Sequence, residues 1–151
     1  MRTFESLAAL RAAVGEHLGH SGWRTIDQER VDAFAGATDD HQWIHVDPER
    51  AAAGPFGGTI AHGYLVLSLL PSFAAEIYRV DGVRMGINYG LNRVRFPSPV
   101  PTGSRLRAGA RLLSAEDVPG GGLHLVTEVT VEREGGEKPC CVAETVTRLH
   151  A

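Results

Sequence analysis

Apolar residues in the first third of the chain recur at helical spacing and predict two helices. The first pattern is formed by Phe4, Leu7, Leu10, Val14 and Leu18. Thr3 precedes this pattern and is the predicted N-cap of an amphipathic helix. A short extended piece, residues 23–26, leads into the second pattern, which has Asp27 as its predicted cap and Gly36 as its predicted end.

The second half of the chain changes to a residue composition typical of strands. Four segments are rich in valine, leucine, threonine and arginine, namely residues 83–96, 104–113, 123–132 and 139–149. Glycine clusters at 120–122 and 135–136 predict hairpin turns between the last three segments, and prolines at 97, 99 and 101 predict a rigid link after the first. The alternation in residues 123–132 predicts a sheet with one wet face.

Residues 63–70 lie between these halves and are apolar on nearly every side, which predicts a buried helix. We expect Pro71 to kink this helix and Ser68 to pack inside it. An antiparallel sheet with such a helix to bury predicts one α+β domain, residues 1–151, in which the sheet curls round the helix.

Composition and charge narrow the classes of partner. The chain has 151 residues, 43% of them hydrophobic, and a formal net charge of -3. Because no basic patch or long apolar run is present, we expect neither a nucleic-acid nor a membrane partner. The first residues lack the apolar core of a signal peptide, which predicts a cytoplasmic protein. Cys140 and Cys141 are adjacent, so we expect reduced thiols in a C-terminal strand.

Residues 37–61 have no sustained periodicity apart from one short helix, for which Asp47 is the predicted cap, Pro48 the first residue and Gly54 the end. A segment of this length inside a compact domain is often a binding or catalytic segment. Asp40 and His45 lie in it, five positions apart, and form a candidate acid–base pair. The alternative is a turn-forming aspartate and a hydrogen-bonded histidine.

A metal site is a second possibility for the same segment. His41, His45, Asp40 and His62 include enough ligand types for zinc. The segment shows no helical His-x-x-x-His framework, however, so we expect no metal.

Residues 34–51, followed by Ile60-Ala61-His62-Gly63, resemble the MaoC-like, R-specific enoyl-CoA hydratase family of the hot-dog fold. The family motif is an aromatic residue, then Asp-x-Asn-Pro-[aliphatic]-His-x-[Asp/Glu]-Pro-x-x-Ala, followed later by [Val/Ala]-His-Gly at the start of the central helix. By this resemblance Asp40 and His45 match the catalytic pair, in a catalytic segment of about residues 34–63. Gly63 matches the glycine whose backbone N–H binds the thioester oxygen.

The likeness covers nearly the whole chain. Residues 88–96 and the proline-rich link to residue 103 resemble the branch of the family related to nodulation protein N. Two departures bear on substrate and mechanism. Gln42-Trp43 replaces the motif's Asn-Pro, which affects acyl-chain preference, and Asp39 replaces a common glycine, which raises a role for Asp39 beside the catalytic acid.

The resemblance implies a homodimeric lyase that reversibly hydrates trans-2-enoyl thioesters, of CoA or a carrier protein, to (R)-3-hydroxyacyl thioesters. It implies no cofactor beyond the thioester's own CoA or carrier arm. The candidate substrate-binding residues are Gln42, His62, Asn88, Arg93 and Arg95. For His62 the alternatives are a residue that orients the oxyanion loop and a loop histidine satisfied by the backbone. The two arginines share one face of a strand and could meet CoA phosphates, or they could belong to a solvated face. Two alternative functions stay open, a non-catalytic acyl-thioester-binding module and a hot-dog thioesterase.

Overall fold

The computed structural model describes residues 1–151 and contains short helices and longer strands. The helices are α1 (Leu7–Ala12), α2 (Gln28–Thr38), α3 (Trp43–Val46), α4 (Pro48–Ala52), α5 (Gly63–Ser68) and α6 (Leu70–Ile77). The strands are β1 (Arg2–Phe4), β2 (His17–His20), β3 (Arg24–Thr25), β4 (Tyr78–Val80), β5 (Met85–Arg95), β6 (Arg105–Val118), β7 (Gly122–Arg133) and β8 (Cys141–His150). The four long strands are the four that the composition predicts.

The main sheet is antiparallel and has the strand order β2-β6-β7-β8-β5, with β3 paired beside the start of β6. Strands β1 and β4 form a separate parallel pair. The β6–β7 hairpin turns through Gly120 and Gly121, whose φ angles of 93° and 83° are readily available only to glycine. The glycine cluster therefore makes the hairpin that the sequence predicts.

The hydrophobic core lies between one face of the sheet and helices α5 and α6. On β7 the residues that point inward alternate with partly exposed neighbours, and the apolar ones are Leu123, Leu125, Val129 and Val131. Phe73 of α6 is fully buried in the same cluster. A curled antiparallel sheet packed on a central helical segment is the hot-dog architecture, so the predicted fold class is confirmed.

The predicted first helix is wrong in its length and its cap. Helix α1 spans only Leu7–Ala12, and its N-cap is Ser6, whose side chain accepts a hydrogen bond from the N–H of Ala9. Phe4 lies in β1 and Leu18 in β2, and both are buried. Burial in three different elements thus produces a spacing that mimics one helix.

Helices α2 and α4 follow their predicted caps, but α2 does not end at Gly36. The carboxylates of Asp27 and Asp47 accept the N–H groups of Arg30 and Arg50. Helix α2 continues to Thr38 and ends at Asp39, which has φ 59° and ψ 21°. This left-handed conformation is uncommon for a residue with a side chain.

The central helical segment breaks at Leu69 into α5 and α6, so the interruption expected from Pro71 is confirmed. One side of α5 is open to solvent. Tyr64 is 69% exposed, and the Ser68 hydroxyl donates a hydrogen bond to the Tyr64 carbonyl at 2.7 Å. The predicted burial of Ser68 inside the helix is therefore wrong.

Strand β5 forms one edge of the main sheet and is exposed or partly exposed along its whole length. Bulges near Tyr89 and Asn92 interrupt its pairing with β8. A largely apolar groove of about 710 Å³ runs between α5–α6 and the inner face of β5 and β8. Its walls include Leu67, Ala74, Leu91 and Leu149.

Cys140 and Cys141 are buried free thiols at the start of β8. Burial raises the pKa of Cys140 to about 12 and the pKa of Cys141 to about 11. Both thiols are free, as the sequence predicts. None of the helices has the length and apolar character needed to span a bilayer.

Candidate active site

Asp40 is presented at the end of α2 by the left-handed turn at Asp39. Its side chain is 49% exposed, and its Oδ1 atom accepts a long hydrogen bond of 3.4 Å from the N–H of Gln42. The left-handed conformation of Asp39 explains why the resembling family commonly has glycine there. The structure gives Asp39 a role in turning the chain.

His45 lies in the short helix α3 and is only 7% exposed. Its Nδ1–H donates a hydrogen bond of 2.6 Å to the Ile60 carbonyl, which can only accept. In a neutral imidazole the Nε2 atom then carries a lone pair. A second hydrogen bond also holds the residue, since Gln28 Nε2 donates to the His45 carbonyl at 2.7 Å. His45 is therefore oriented as a proton acceptor at Nε2.

A chain of polar side chains ties this segment to the sheet. The Thr59 hydroxyl lies 2.6 Å from Gln28 Oε1 and 2.9 Å from the Thr102 hydroxyl, just before β6 begins. The backbone adds a bridge between Ile60 and Pro101, and an Ile60 N–H bond of 3.0 Å to the Ile44 carbonyl. The segment is anchored on both sides of His45.

His62 is 2% exposed and joins Asp40 to His45. Its Nε2–H donates a hydrogen bond of 3.0 Å to the Asp40 carbonyl, and Nε2 lies 3.9 Å from Asp40 Oδ2. Its ring stacks on the His45 ring with centroids 3.8 Å apart and an interplanar angle of 23°. Phe34 packs against the His62 ring at 4.9 Å. These contacts hold His62 within the protein, and its contact with substrate stays a prediction.

Asp40, His45 and His62 each place one potential ligand atom within 4.8 Å of the others. A separation of this size is one that a single bridging water spans. The cluster leaves few free ligand atoms for a metal ion, because His45 Nδ1 and His62 Nε2 each hydrogen-bond a backbone carbonyl and His62 Nδ1 is buried. The geometry favours proton transfer through a shared water.

Gly63 follows His62 and is the first residue of α5, where backbone N–H groups have no partner within the helix. The Phe96 ring lies directly against this glycine. A Cβ atom added at Gly63 would lie 3.0 Å from Phe96 Cδ2. The close approach of the ring explains why a residue without a side chain stands here.

The remaining predicted residues lie outside the cluster. Gln42 is exposed at the N-cap of α3 and makes no side-chain capping bond. Asn88 lines the apolar groove. Arg93 and Arg95 are exposed on β5, pair in register with Glu144 and Val142, and thus share a strand face as predicted. None of these four side chains forms a hydrogen bond or ion pair with the cluster.

Sequence reasoning missed several residues that shape the site. Gln28, Thr59 and Ile60 orient His45, and Phe96 packs on Gly63. No local pattern marks these roles, because each of the four residues acts on a partner at least 15 positions away. Phe34 and Ile60 lie in the segments that carry the resemblance, Phe34 as the aromatic residue that precedes the motif.

Comparison with known proteins identifies the family. The protein-family model described as the MaoC like domain matches residues 9–134 of this chain. The chain is 60% identical to 3-hydroxyacyl-thioester dehydratase Z of Mycobacterium tuberculosis over 151 residues, which cover 100% of both chains. It is 50% identical to nodulation protein N of Rhizobium leguminosarum bv. viciae over 145 residues, covering 94% of this chain and 89% of that one.

A solved structure agrees with these relatives. The R-hydratase PhaJ1 from Pseudomonas aeruginosa superposes with a TM-score of 0.74 at 26% identity, covering 96% of this chain and 85% of that one. The resemblance seen in the sequence, including the likeness to nodulation protein N, is confirmed. The chain belongs to the MaoC-like dehydratase family.

Proposed function

We propose that this protein is a lyase that reversibly adds water to trans-2-enoyl thioesters and forms (R)-3-hydroxyacyl thioesters. One observation carries the proposal, namely the oriented pair of Asp40 and His45, with His45 Nε2 free to accept a proton. The full-length similarity to a 3-hydroxyacyl-thioester dehydratase supports the reaction class. The similarity to an R-hydratase structure supports the stereochemistry.

The pair supplies both proton transfers of the reaction. His45 Nε2 takes a proton from water as the water oxygen bonds to C3 of the enoyl group. The Asp40 carboxylate accepts a hydrogen bond from the other hydrogen of this water, which stays in the product hydroxyl, and so orients the water. The C2=C3 electrons move towards the thioester carbonyl and form an enolate, and the pair returns a proton to C2. Water is consumed and the pair ends in its starting protonation state.

The Gly63 N–H stabilises the enolate oxygen in this proposal. It lies at the start of α5, next to His62, which contacts both members of the pair. A backbone donor aimed at developing negative charge contributes about 3 kcal/mol to transition-state stabilisation. No cofactor is needed, since the thioester itself delocalises the charge.

The substrate's carrier arm and acyl chain extend away from the pair. Gln42 lies next to the cluster on the exposed side of α3 and is proposed to contact the thioester. Asn88 lines the apolar groove, which is proposed to receive the acyl chain. Arg93 and Arg95 are exposed cations on β5, and we assign them to the phosphates of CoA or of a carrier arm.

We also propose that two copies of the chain pair through β5. This 11-residue edge strand has no neighbour on its outer side and exposes several large apolar residues, among them Ile87, Tyr89 and Leu91. An uncovered apolar edge strand is an aggregation hazard unless another chain pairs with it. A second copy, aligned antiparallel, covers both edges at once.

Crotonyl-CoA distinguishes the proposed reaction from its alternatives. A hydratase lowers the enoyl absorbance without releasing thiol, whereas a thioesterase releases free CoA thiol. A binding module does neither. Loss of enoyl absorbance and recovery of (R)-3-hydroxybutyryl-CoA are the expected results, and thiol release at the same rate would overturn the proposal.

Two substitutions test the assigned pair. Asp40→Asn and His45→Gln each remove a proton-transfer group with little change in volume, so kcat should fall roughly 10²- to 10⁴-fold while circular dichroism stays native. Asp39→Asn is the matched control, because asparagine also accepts the left-handed conformation. If both variants keep more than about a tenth of wild-type kcat, well above that range, the assignment fails.

A further inference from the structure

His62 is the most buried side chain of the catalytic cluster, and the proposed chemistry gives it no proton to carry. We propose that His62 is a positioning residue: it holds the Asp40 backbone by a hydrogen bond and the His45 ring by stacking, and it does not touch substrate. This inference rests on the proposed function and identifies what keeps the acid–base pair in its working geometry.

The hydrogen bond restrains the part of the chain that is otherwise weakly held. Asp40 lies after the left-handed end of α2, and its carboxylate receives only the 3.4 Å bond from Gln42. The 3.0 Å bond from His62 Nε2–H to the Asp40 carbonyl is the shortest hydrogen bond that Asp40 makes. It connects residues 22 positions apart, so it ties the end of α2 to the start of α5.

The stacked ring restrains His45 in a direction that its hydrogen bonds leave free. The bond from Nδ1 to Ile60 restrains one edge of the ring, and rotation of the side chain about its own torsions would move Nε2. The His62 ring, 3.8 Å away, blocks that rotation on one face, and Phe34 supports His62 from a second contact. The plane of the base is set by packing.

Neither nitrogen of His62 is available to a substrate. Nε2 is used by the Asp40 carbonyl, and Nδ1 is buried without a hydrogen-bond partner. A proton on Nδ1 would be a buried donor without an acceptor, which costs about 1–3 kcal/mol. The hydrogen bond to the Asp40 carbonyl therefore favours the tautomer with hydrogen on Nε2.

Two variants separate the hydrogen bond from mere space filling. His62→Phe keeps an aromatic ring for stacking and removes the N–H donor. His62→Gln places an amide N–H near the Nε2 position and removes the ring. His41→Gln is the matched control, since His41 is an exposed histidine of the same segment.

We expect His62→Phe to lower kcat roughly 10- to 100-fold on crotonyl-CoA, since misplacement by about 1 Å costs up to that much. KM should change by less than about threefold, as for an interaction that acts on the chemical step. His62→Gln keeps a donor near the Nε2 position but loses the stacked ring, so kcat should fall by a similar factor. A raised KM with kcat preserved, or full activity of either variant, would overturn the proposal.

A measurement without turnover separates this inference from the proposed function. In ¹⁵N-labelled wild-type protein, the imidazole NMR signals of His62 should show hydrogen on Nε2, and those of His45 hydrogen on Nδ1. Hydrogen on Nδ1 of His62 overturns the inference even if the enzyme is an active hydratase. If the expected tautomers are found but wild-type protein hydrates no enoyl thioester, only the proposed function fails. This measurement also decides the case in which His62→Phe does not fold.

Discussion

Substituting Gly63 by alanine tests the proposed enolate donor through one measured contact. The added Cβ would lie 3.0 Å from Cδ2 of Phe96, whereas carbon atoms pack best at roughly 3.5–4.0 Å. The start of α5 or the ring must therefore move by about 0.5 Å. A shift of that size lengthens an N–H···O bond of about 2.9 Å beyond the usual limit of about 3.2 Å.

Most of the donor's contribution should then be lost. Removing one such donor typically lowers kcat about 10²- to 10³-fold, and we expect a loss near 10²-fold for Gly63→Ala. Because the enolate exists only during the chemical step, kcat and kcat/KM should fall together with KM nearly unchanged. Initial rates of crotonyl-CoA hydration over a range of concentrations measure all three quantities.

Two further variants make the reasoning specific to this contact. Removing the ring gives the methyl group room, so Gly63→Ala in a Phe96→Ala background should lose less than about tenfold relative to that background. Gly36→Ala is the matched control, because an added Cβ there meets nothing within 4 Å and α2 should gain about 0.5–1 kcal/mol. A rise in KM alone, or no recovery in the Phe96→Ala background, would refute the reasoning.

Three other outcomes are expected. Asp39→Gly should retain activity and raise the free energy of unfolding by up to about 1 kcal/mol in urea titrations, since glycine relieves the left-handed conformation; a destabilised variant contradicts this. Light scattering should find dimers of the wild-type chain and monomers of Ile87→Lys. Val14→Lys is the matched control and should stay dimeric, since Val14 is 43% exposed and Ile87 41%. Wild-type protein that is monomeric and active would contradict the proposed dimer. Burial raises the thiol pKa from 9.0 to about 12 in Cys140 and about 11 in Cys141, so the unfolded chain ionises first. The unfolding free energy should therefore fall as pH rises from about 9 to about 11, and a Cys140→Ala/Cys141→Ala variant should lose much of that slope.

Local signals predicted the parts of the fold that local interactions decide. The four long strands follow from composition, with alternation in residues 123–132, and the caps at Asp27 and Asp47 follow from a carboxylate placed before a helical pattern. The first helix failed because burial of Phe4 and Leu18 comes from two different sheets. Spacing along the chain cannot distinguish burial within one element from burial in several.

The candidate site divides in the same way. Asp40 and His45 belong to one continuous segment, so a motif could find them together. The residues that orient them lie far apart along the chain. Gln28 and Thr59, for example, are 31 positions apart. Phe96 reaches Gly63 from beyond the end of β5, and no pattern in either segment predicts that contact.

The anchoring of the catalytic segment through Thr59 and Thr102 has a consequence for folding kinetics. The mutual contacts of Asp40, His45 and His62 span at most 22 positions, whereas the link to Thr102 spans 43. Closing short loops is fast and long-range strand pairing is slow. The catalytic segment can thus collapse early, but its geometry becomes definite only after the start of β6 has joined the sheet. Newly made chains should acquire strands before activity, and the segment should open in native-state hydrogen exchange at lower free energy than the sheet.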